Sequence, residues 1–286
     1  MNRLSRRQFL GKGAMGLGAA LMASRIPFES EFSNLPKTVK LPVGFQIWTI
    51  NKDLQNDFAG TLKKMADMGY KTVEMCSPPG YGFKSLMDMK AIEMKKIVKD
   101  IGLKLESTHY NMGELRTNLA ERIAFASESG QKQMVCSSFG LPQKSAMSDW
   151  MKACDEINTM GMKSKESGIQ MVFHNHHMEF EKIDGNLIYD ALLKQLDPEY
   201  VKMQFQVAVI SVGYKASDYF TKYPGRFISA HLADWSAADN KQKPVGQGDV
   251  DWKEFFATVD KGGVKNIFVE MDPVTFKPSI DYLNKL

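Results

Sequence analysis

Residues 169–180 read IQMVFHNHHMEF, and the fold of the whole chain hangs on how this stretch is read. Ile169, Met171, Val172 and Phe173 form a short apolar run of the kind that makes a buried strand, and three histidines and a glutamate follow it. If the extended backbone continues through the polar part, alternation puts His174 and His176 on one face and Asn175 and His177 on the other. His177 then faces away from any shared site and is a structural side chain. Imidazole is the commonest metal ligand and titrates near neutral pH. The chain has 5 histidines, three of them here. The other two, His109 in LKLESTHY and His231 in RFISAHLADW, also end apolar, strand-like runs, whereas surface histidines would scatter over helices and loops.

Outward from this stretch, strand-like and helix-like segments alternate from residue 42 onward, the signature of βα units. Strand-like runs cover 43–48, 72–75, 103–109, 133–137, 169–174, 201–207, 227–233 and 266–271. Amphipathic helical segments cover 54–68, 87–101, 115–129, 146–167, 186–196, 216–223 and 252–260, with a short last helix over 278–286. Gly69, Gly102, Gly130, Gly168 and Gly263 each follow a helix and precede a strand, where a left-handed cap is wanted. The alternation predicts a single closed (β/α)8 TIM barrel, and 286 residues is a normal length for one. A doubly wound open sheet is the alternative, but no GxGxxG follows the first strand and no dinucleotide site is indicated.

The N-terminus stays outside the fold reasoning. Ser5 to Leu10, SRRQFL, carries the paired arginines and the Phe-Leu of a twin-arginine signal, and a weakly apolar run too short to span a bilayer follows. The expected organisation is a removed leader and start of linker over 1–30, a linker over 31–41, and a catalytic barrel over 42–286. That predicts a periplasmic protein exported already folded, with no stable membrane anchor. The formal charge of +4 is matched by Arg3, Arg6, Arg7 and Lys12, so without the leader the balance is close to zero. Such a chain has no global basic field for nucleic acid. Cys76, Cys136 and Cys154 are widely spaced, with no CxxC pattern, and read as structural.

In such barrels the active site lies at the C-terminal ends of the strands. The polar residues ending these runs are Trp48, Glu74, His109, His174 with His176, Gln206, His231 and Glu270. His174, His231 and Glu270 make the metal-binding core expected from this convergence. Nitrogen and carboxylate donors with open positions suit Mn²⁺, Zn²⁺, Co²⁺ or Fe²⁺, and Mg²⁺ less well.

The chain resembles the xylose-isomerase-like barrels known as sugar phosphate isomerase/epimerase, over roughly residues 42–286. The matching motifs are GFQIWT at the first strand, GYKTVEM at the second, VFHNHHMEF at the fifth and RFISAHLADW at the seventh. VGQGDVDWKEFF before the eighth strand and IFVEMD at its end complete the set. The resemblance implies four metal ligands at the ends of strands five to eight, usually Glu, Asp, His and Glu. By position these fall on His174, Gln206, His231 and Glu270. Two depart from the pattern. The first glutamate is a histidine, as in a branch with an HNH-x-x-E-F motif, and the aspartate is Gln206 in MQFQVAVI. An amide oxygen can coordinate a hard cation but carries no charge, so the site loses two negative charges, which Glu179 or His176 could offset.

The resemblance also implies that two sugar oxygens bind the metal, and that a carboxylate on each side passes a proton through an enediolate. Here only Glu270 remains of that carboxylate pair, so the second acid or base is Glu179, His176 or His109. Trp48 and Trp235 are candidates to stack on a sugar face, and Glu74, His109 and His176 to bind its hydroxyls. Asp234 reads as an orienting residue or a helix cap, and Asp249 and Asp251 as turn and N-cap residues. The expected function is a divalent-metal-dependent carbohydrate isomerase or epimerase. One alternative is a lyase or hydratase acting on 3-keto-glycosides or related keto-sugars in the periplasm. The other, prompted by Gln206, is a non-catalytic sugar-binding barrel. The partner in each case is a small sugar or keto-sugar, and assembly as a homo-oligomer stays open.

Overall fold

The computed structural model describes residues 41–286. The expected leader and all of the linker but Leu41 lie outside the described residues. Eight strands close into a barrel in chain order. They are β1 Val43–Gln46, β2 Thr72–Cys76, β3 Lys104–Asn111, β4 Gln133–Ser138, β5 Gln170–His174, β6 Val201–Gln206, β7 Phe227–Leu232 and β8 Asn266–Val269. Every neighbouring pair is parallel, including β1 with β8. A chain of parallel strands must return over the sheet after each one, which is why a helix follows each strand.

The period-two geometry of a strand sorts the two environments. In β6, Phe205 faces out and packs its ring against Tyr189, Tyr219, Phe220 and Phe227. Gln204 and Gln206, on either side of it, face the interior and bond to other inward side chains. The main apolar core is therefore the ring between strands and helices. Inside the barrel the lining is mostly polar, with Val135, Val172 and Phe268 as buried apolar side chains set apart from that core. Gly44 makes room for one of them: a Cβ there would lie 2.2 Å from Thr72 Oγ1 and 2.6 Å from Phe268 Cδ1.

Helix boundaries follow capping chemistry. The segment expected over 54–68 divides, because Asp57 leaves helical space (φ −148°) and caps Phe58–Met68 by accepting the Gly60 N–H at 2.9 Å. Asn111 caps Met112–Ser129 in the same way, which starts that helix three residues before the apolar period does. Asp251 caps Trp252–Gly262 through the Glu254 N–H, as the sequence predicts; such caps are worth about 1 kcal/mol each. The five junction glycines all take positive φ.

Two expectations about strand ends change. β1 stops at Gln46 because Trp48–Ile50 winds into a 3-10 turn. β5 stops at His174, and Met178–Phe180 is again 3-10, so simple alternation does not extend through the histidine run. The three cysteines are buried and unpaired, and burial pushes the Cys136 thiol up to about 12. No helix among the described residues is long and apolar enough to cross a membrane.

Phe205 sits at the centre of the outer aromatic cluster and is fully buried. Phe205→Ala is expected to cost about 3–5 kcal/mol, read from the urea midpoint by circular dichroism; a loss below about 1 kcal/mol would show that this cluster is not a packed core.

Candidate active site

In the middle of β2, Glu74 is fully buried inside the barrel. Its Oε1 accepts from His109 Nε2 at 2.9 Å and His231 Nε2 at 2.5 Å. Its Oε2 accepts from Ser107 Oγ at 2.5 Å and Gln204 Nε2 at 2.9 Å. A buried carboxylate is tolerated only when its lone pairs are filled, and here donors from β3, β6 and β7 fill them. Burial pushes the Glu74 carboxyl up, but the two histidines outweigh it and hold the group well below the usual carboxylate range.

His231 lies between two carboxylates, since its Nδ1 is 2.9 Å from Glu270 Oε2 while its Nε2 faces Glu74. With acceptors at both ring nitrogens, both must be donors, which makes the ring an imidazolium. Burial opposes that charge, yet Glu270 and Glu74 raise the pKa to about 9. Glu270 in turn is pushed up by burial and drawn down further by His231, so it stays ionised. Gln206 Nε2 donates to the same Glu270 Oε2 at 2.8 Å. Its Oε1 accepts the Ala208 N–H, and its own N–H donates to Asn175 Oδ1 at 3.1 Å. As placed, the amide turns its nitrogen toward Glu270, and presenting the oxygen instead would break the bond to Ala208. Glu270 Oε1 has no hydrogen-bond partner among the described residues, so one carboxylate oxygen is held and the other is free.

Above this layer the histidines gather. His109 and His231 stack with ring centroids 5.2 Å apart, and His174 sits 5.0 Å from the first and 4.5 Å from the second. One ring nitrogen from each lies within 4.8 Å of the others, a grouping able to hold a metal ion. His174 Nδ1 is buried without a hydrogen-bond partner among the described residues. Burial and the neighbouring His231 push its pKa well down, which keeps the ring neutral and its lone pair available. His176 reaches the same place from a turn rather than a strand: its exposed ring meets His174 edge-on at 4.8 Å.

The other sequence-predicted residues take more varied positions. Glu179 is fully buried, with Oε2 bonded to the His176 N–H at 2.7 Å, and burial raises its pKa to about 7. It braces the turn that carries His176, and none of its hydrogen bonds reaches Glu270 or His231. His177 bonds Ser211 Oγ, pinning the turn after β6, in keeping with a structural role. Trp48 is 48% exposed and packs edge-on against Tyr81, so the pair offers aromatic surface. Trp235 is half-buried on a small hairpin, Asp234–Ser236 with Lys241–Lys243, beyond β7.

Asp234 neither orients a histidine nor caps a helix. It is buried and accepts the N–H groups of Trp235, Gly246, Gly248 and Val250 together with the Trp252 indole N–H. The VGQGDVDW motif is thus wrapped round one carboxylate; a Cβ on Gly248 would lie 2.3 Å from Asp234 Oδ1. Sequence reading missed Ser107, Gln204 and Asn175. The first two stand two residues before His109 and Gln206, the spacing that returns a strand to the same face, so the signal was present.

A family model described as xylose isomerase-like TIM barrel matches residues 62–286. The chain belongs to that family. Its barrel is an enzyme-family fold. It is similar to an inosose dehydratase of Clostridium perfringens, at 22% identity over 84% of this chain and 93% of that protein. It also superposes on a sugar phosphate isomerase/epimerase from Parabacteroides distasonis, with TM-score 0.74, 22% identity and coverage of 88% and 98% of the two chains. An IOLI protein structure with a bound zinc atom shares the fold at TM-score 0.62 and 13% identity, over 86% of this chain and 96% of that one.

The buried imidazolium makes a signed prediction for the metal-free protein. His231 is raised from 6.5 to about 9, so its contribution is full below about pH 6.5 and is lost as pH rises through about 9. Glu74 and Glu270 are shifted down and lose theirs only in acid. Urea unfolding at about pH 6 and pH 10 should differ by on the order of 3 kcal/mol, and His231→Gln should remove most of the difference. Equal stability at both pH values would refute the charged ring.

Proposed function

We propose that this protein is a divalent-metal-dependent lyase that removes the proton beside the carbonyl of a sugar-like ketone and expels a β-hydroxyl as water. The observation that carries this reading is the asymmetry around Glu270. One carboxylate with a free Oε1 stands at the site, and imidazoles rather than a second carboxylate face it. A matched pair of carboxylates suits two-way proton exchange, whereas a carboxylate with an imidazole suits elimination, where base and acid differ. The similarity to an inosose dehydratase supports the same class.

The residues fit a cation: His174 Nδ1 is a buried nitrogen lacking any partner, and its neighbours are further imidazoles and a carboxylate. When bound, the metal supplies a Lewis acid for the ketone oxygen. The chain does the rest. Glu270 Oε1 takes the proton from the carbon beside the carbonyl, and those electrons form the carbon–carbon double bond. The bond from the next carbon to its hydroxyl breaks, and that hydroxyl takes a proton from water at the rim beside His176, whose ring is kept neutral because burial lowers its pKa to about 4. The hydroxide left behind recovers the proton held by Glu270. Water and a conjugated enone leave. Glu74, Ser107 and Gln204 hold the rings in place, and Trp48 with Tyr81 offers a face for the sugar ring. The RRQFL leader supports a periplasmic location, where free keto-glycosides are a suitable substrate class.

An isomerase or epimerase is the second reading, favoured by the likeness to the Parabacteroides protein. Keto-glycosides and inososes incubated with the metal-loaded protein separate the two. A conjugated enone by ultraviolet absorbance is the expected product, and Glu270→Gln should lower its rate roughly 10²–10⁴-fold. Solvent deuterium entering the sugar without an enone would move the assignment to epimerase. Neither product from any substrate, with binding retained, would leave a non-catalytic sugar-binding barrel.

A further inference from the structure

We propose that the cation is held by three nitrogens, from His109, His174 and His231, and that Gln206 is a clamp on Glu270 rather than a ligand. This rests on the metal-dependent reading above and changes its ligand set: β3 enters the site, and β6 leaves it.

The argument starts from hydrogen bonds that fix ring tautomers. His109 Nε2 lies 2.8 Å from Gln204 Oε1 and 2.9 Å from Glu74 Oε1. Both are acceptors, because the Gln204 amide nitrogen is already donating to Glu74 Oε2 and Ser229 Oγ. His109 therefore carries its proton on Nε2, and its Nδ1 presents a lone pair. No hydrogen bond reaches that Nδ1 among the described residues. His231 Nε2 is likewise anchored on Glu74. His174 supplies the buried, unpartnered Nδ1. One carboxylate and one amide beneath the site thus aim two of the three rings. Histidine ligands are commonly oriented in this way through their second nitrogen.

Gln206 is built differently. Both ends of its amide are engaged, the nitrogen on Glu270 and the oxygen on Ala208 N–H. Its hydrogen bond falls on the Glu270 oxygen that His231 also holds, so the amide orients the carboxylate and leaves Oε1 exposed. The three histidines form a group able to hold a cation among the described residues, and His231 Nδ1, 2.9 Å from Glu270 Oε2, would exchange its proton for that cation. Glu270 is then free to act as a base instead of spending its lone pairs on the cation. A three-imidazole site also favours Zn²⁺, Co²⁺ or Ni²⁺ over Mg²⁺, which prefers oxygen donors.

Zinc-loaded wild-type protein examined by X-ray absorption gives an imidazole count without any mutation. Three imidazoles per zinc is the expected result. Two, with oxygen ligands making up the rest, would overturn this inference and leave the metal-dependent reading standing. No stoichiometric zinc in the wild type, nor cobalt or manganese, would overturn both. Equilibrium dialysis with zinc supplies the second arm, with folding checked by circular dichroism. Replacing a residue that only orients a ligand costs roughly 10–100-fold in metal affinity. His109→Ala should therefore weaken binding by more than about 100-fold, and Gln206→Leu by less than about tenfold. The reverse order would restore Gln206 as the ligand.

Discussion

The interior of this barrel depends on one buried negative charge. Glu74 gathers four donors from β3, β6 and β7 onto a carboxylate carried by β2. Such a group is costly to bury alone and acceptable when every lone pair is filled. Its presence explains why the interior is so polar: each residue that satisfies it must itself be satisfied, and the requirement spreads to Ser229 and Glu270. Apolar packing is left to the ring outside the strands. The division also assigns tasks, since the outer ring supplies the apolar packing and the inner network sets ring orientation.

The charge balance inside is tighter than a count of ionisable groups implies. His231 is positive because two carboxylates flank it, and each carboxylate is ionised because His231 is positive. The three titrate as a unit rather than as individuals. A divalent cation placed among the imidazoles would take over the role that the ring proton fills in its absence. Metal binding and protonation compete for the same electrostatic need.

Most of the architecture was legible from the chain. Strand-helix alternation, junction glycines and histidines at strand ends all follow from local rules, and each is met in the barrel. The convergence of Glu74, His109, His174, His231 and Glu270 followed from placing strand ends at one mouth. What local reading could not see was where alternation stops. His176 reaches His174 although the strand has ended, and Glu179, in the 3-10 turn Met178–Phe180, accepts the His176 N–H instead of facing Glu270. Nor could spacing reveal which atom of Gln206 faces the site, since that is decided by an N–H two residues later. The Asp234 role was hidden for a similar reason: four of its five partners lie 12 to 18 residues away in sequence, along a loop with no period and the start of the helix that follows it.

That loop has a consequence for how such a barrel could diversify. Of the five donors that Asp234 collects, four are main-chain N–H groups, and only the Trp252 indole belongs to a side chain. The path of the rim is therefore written in the backbone and in one acid, with Gly248 kept small by its closeness to that acid. Gln247 can change without altering the path, whereas Asp249 ties the loop to the hairpin by accepting the Ala237 N–H at 2.6 Å. A rim whose shape is independent of most of its own side chains is a stable frame on which substrate preference can drift while the chemistry beneath it stays the same.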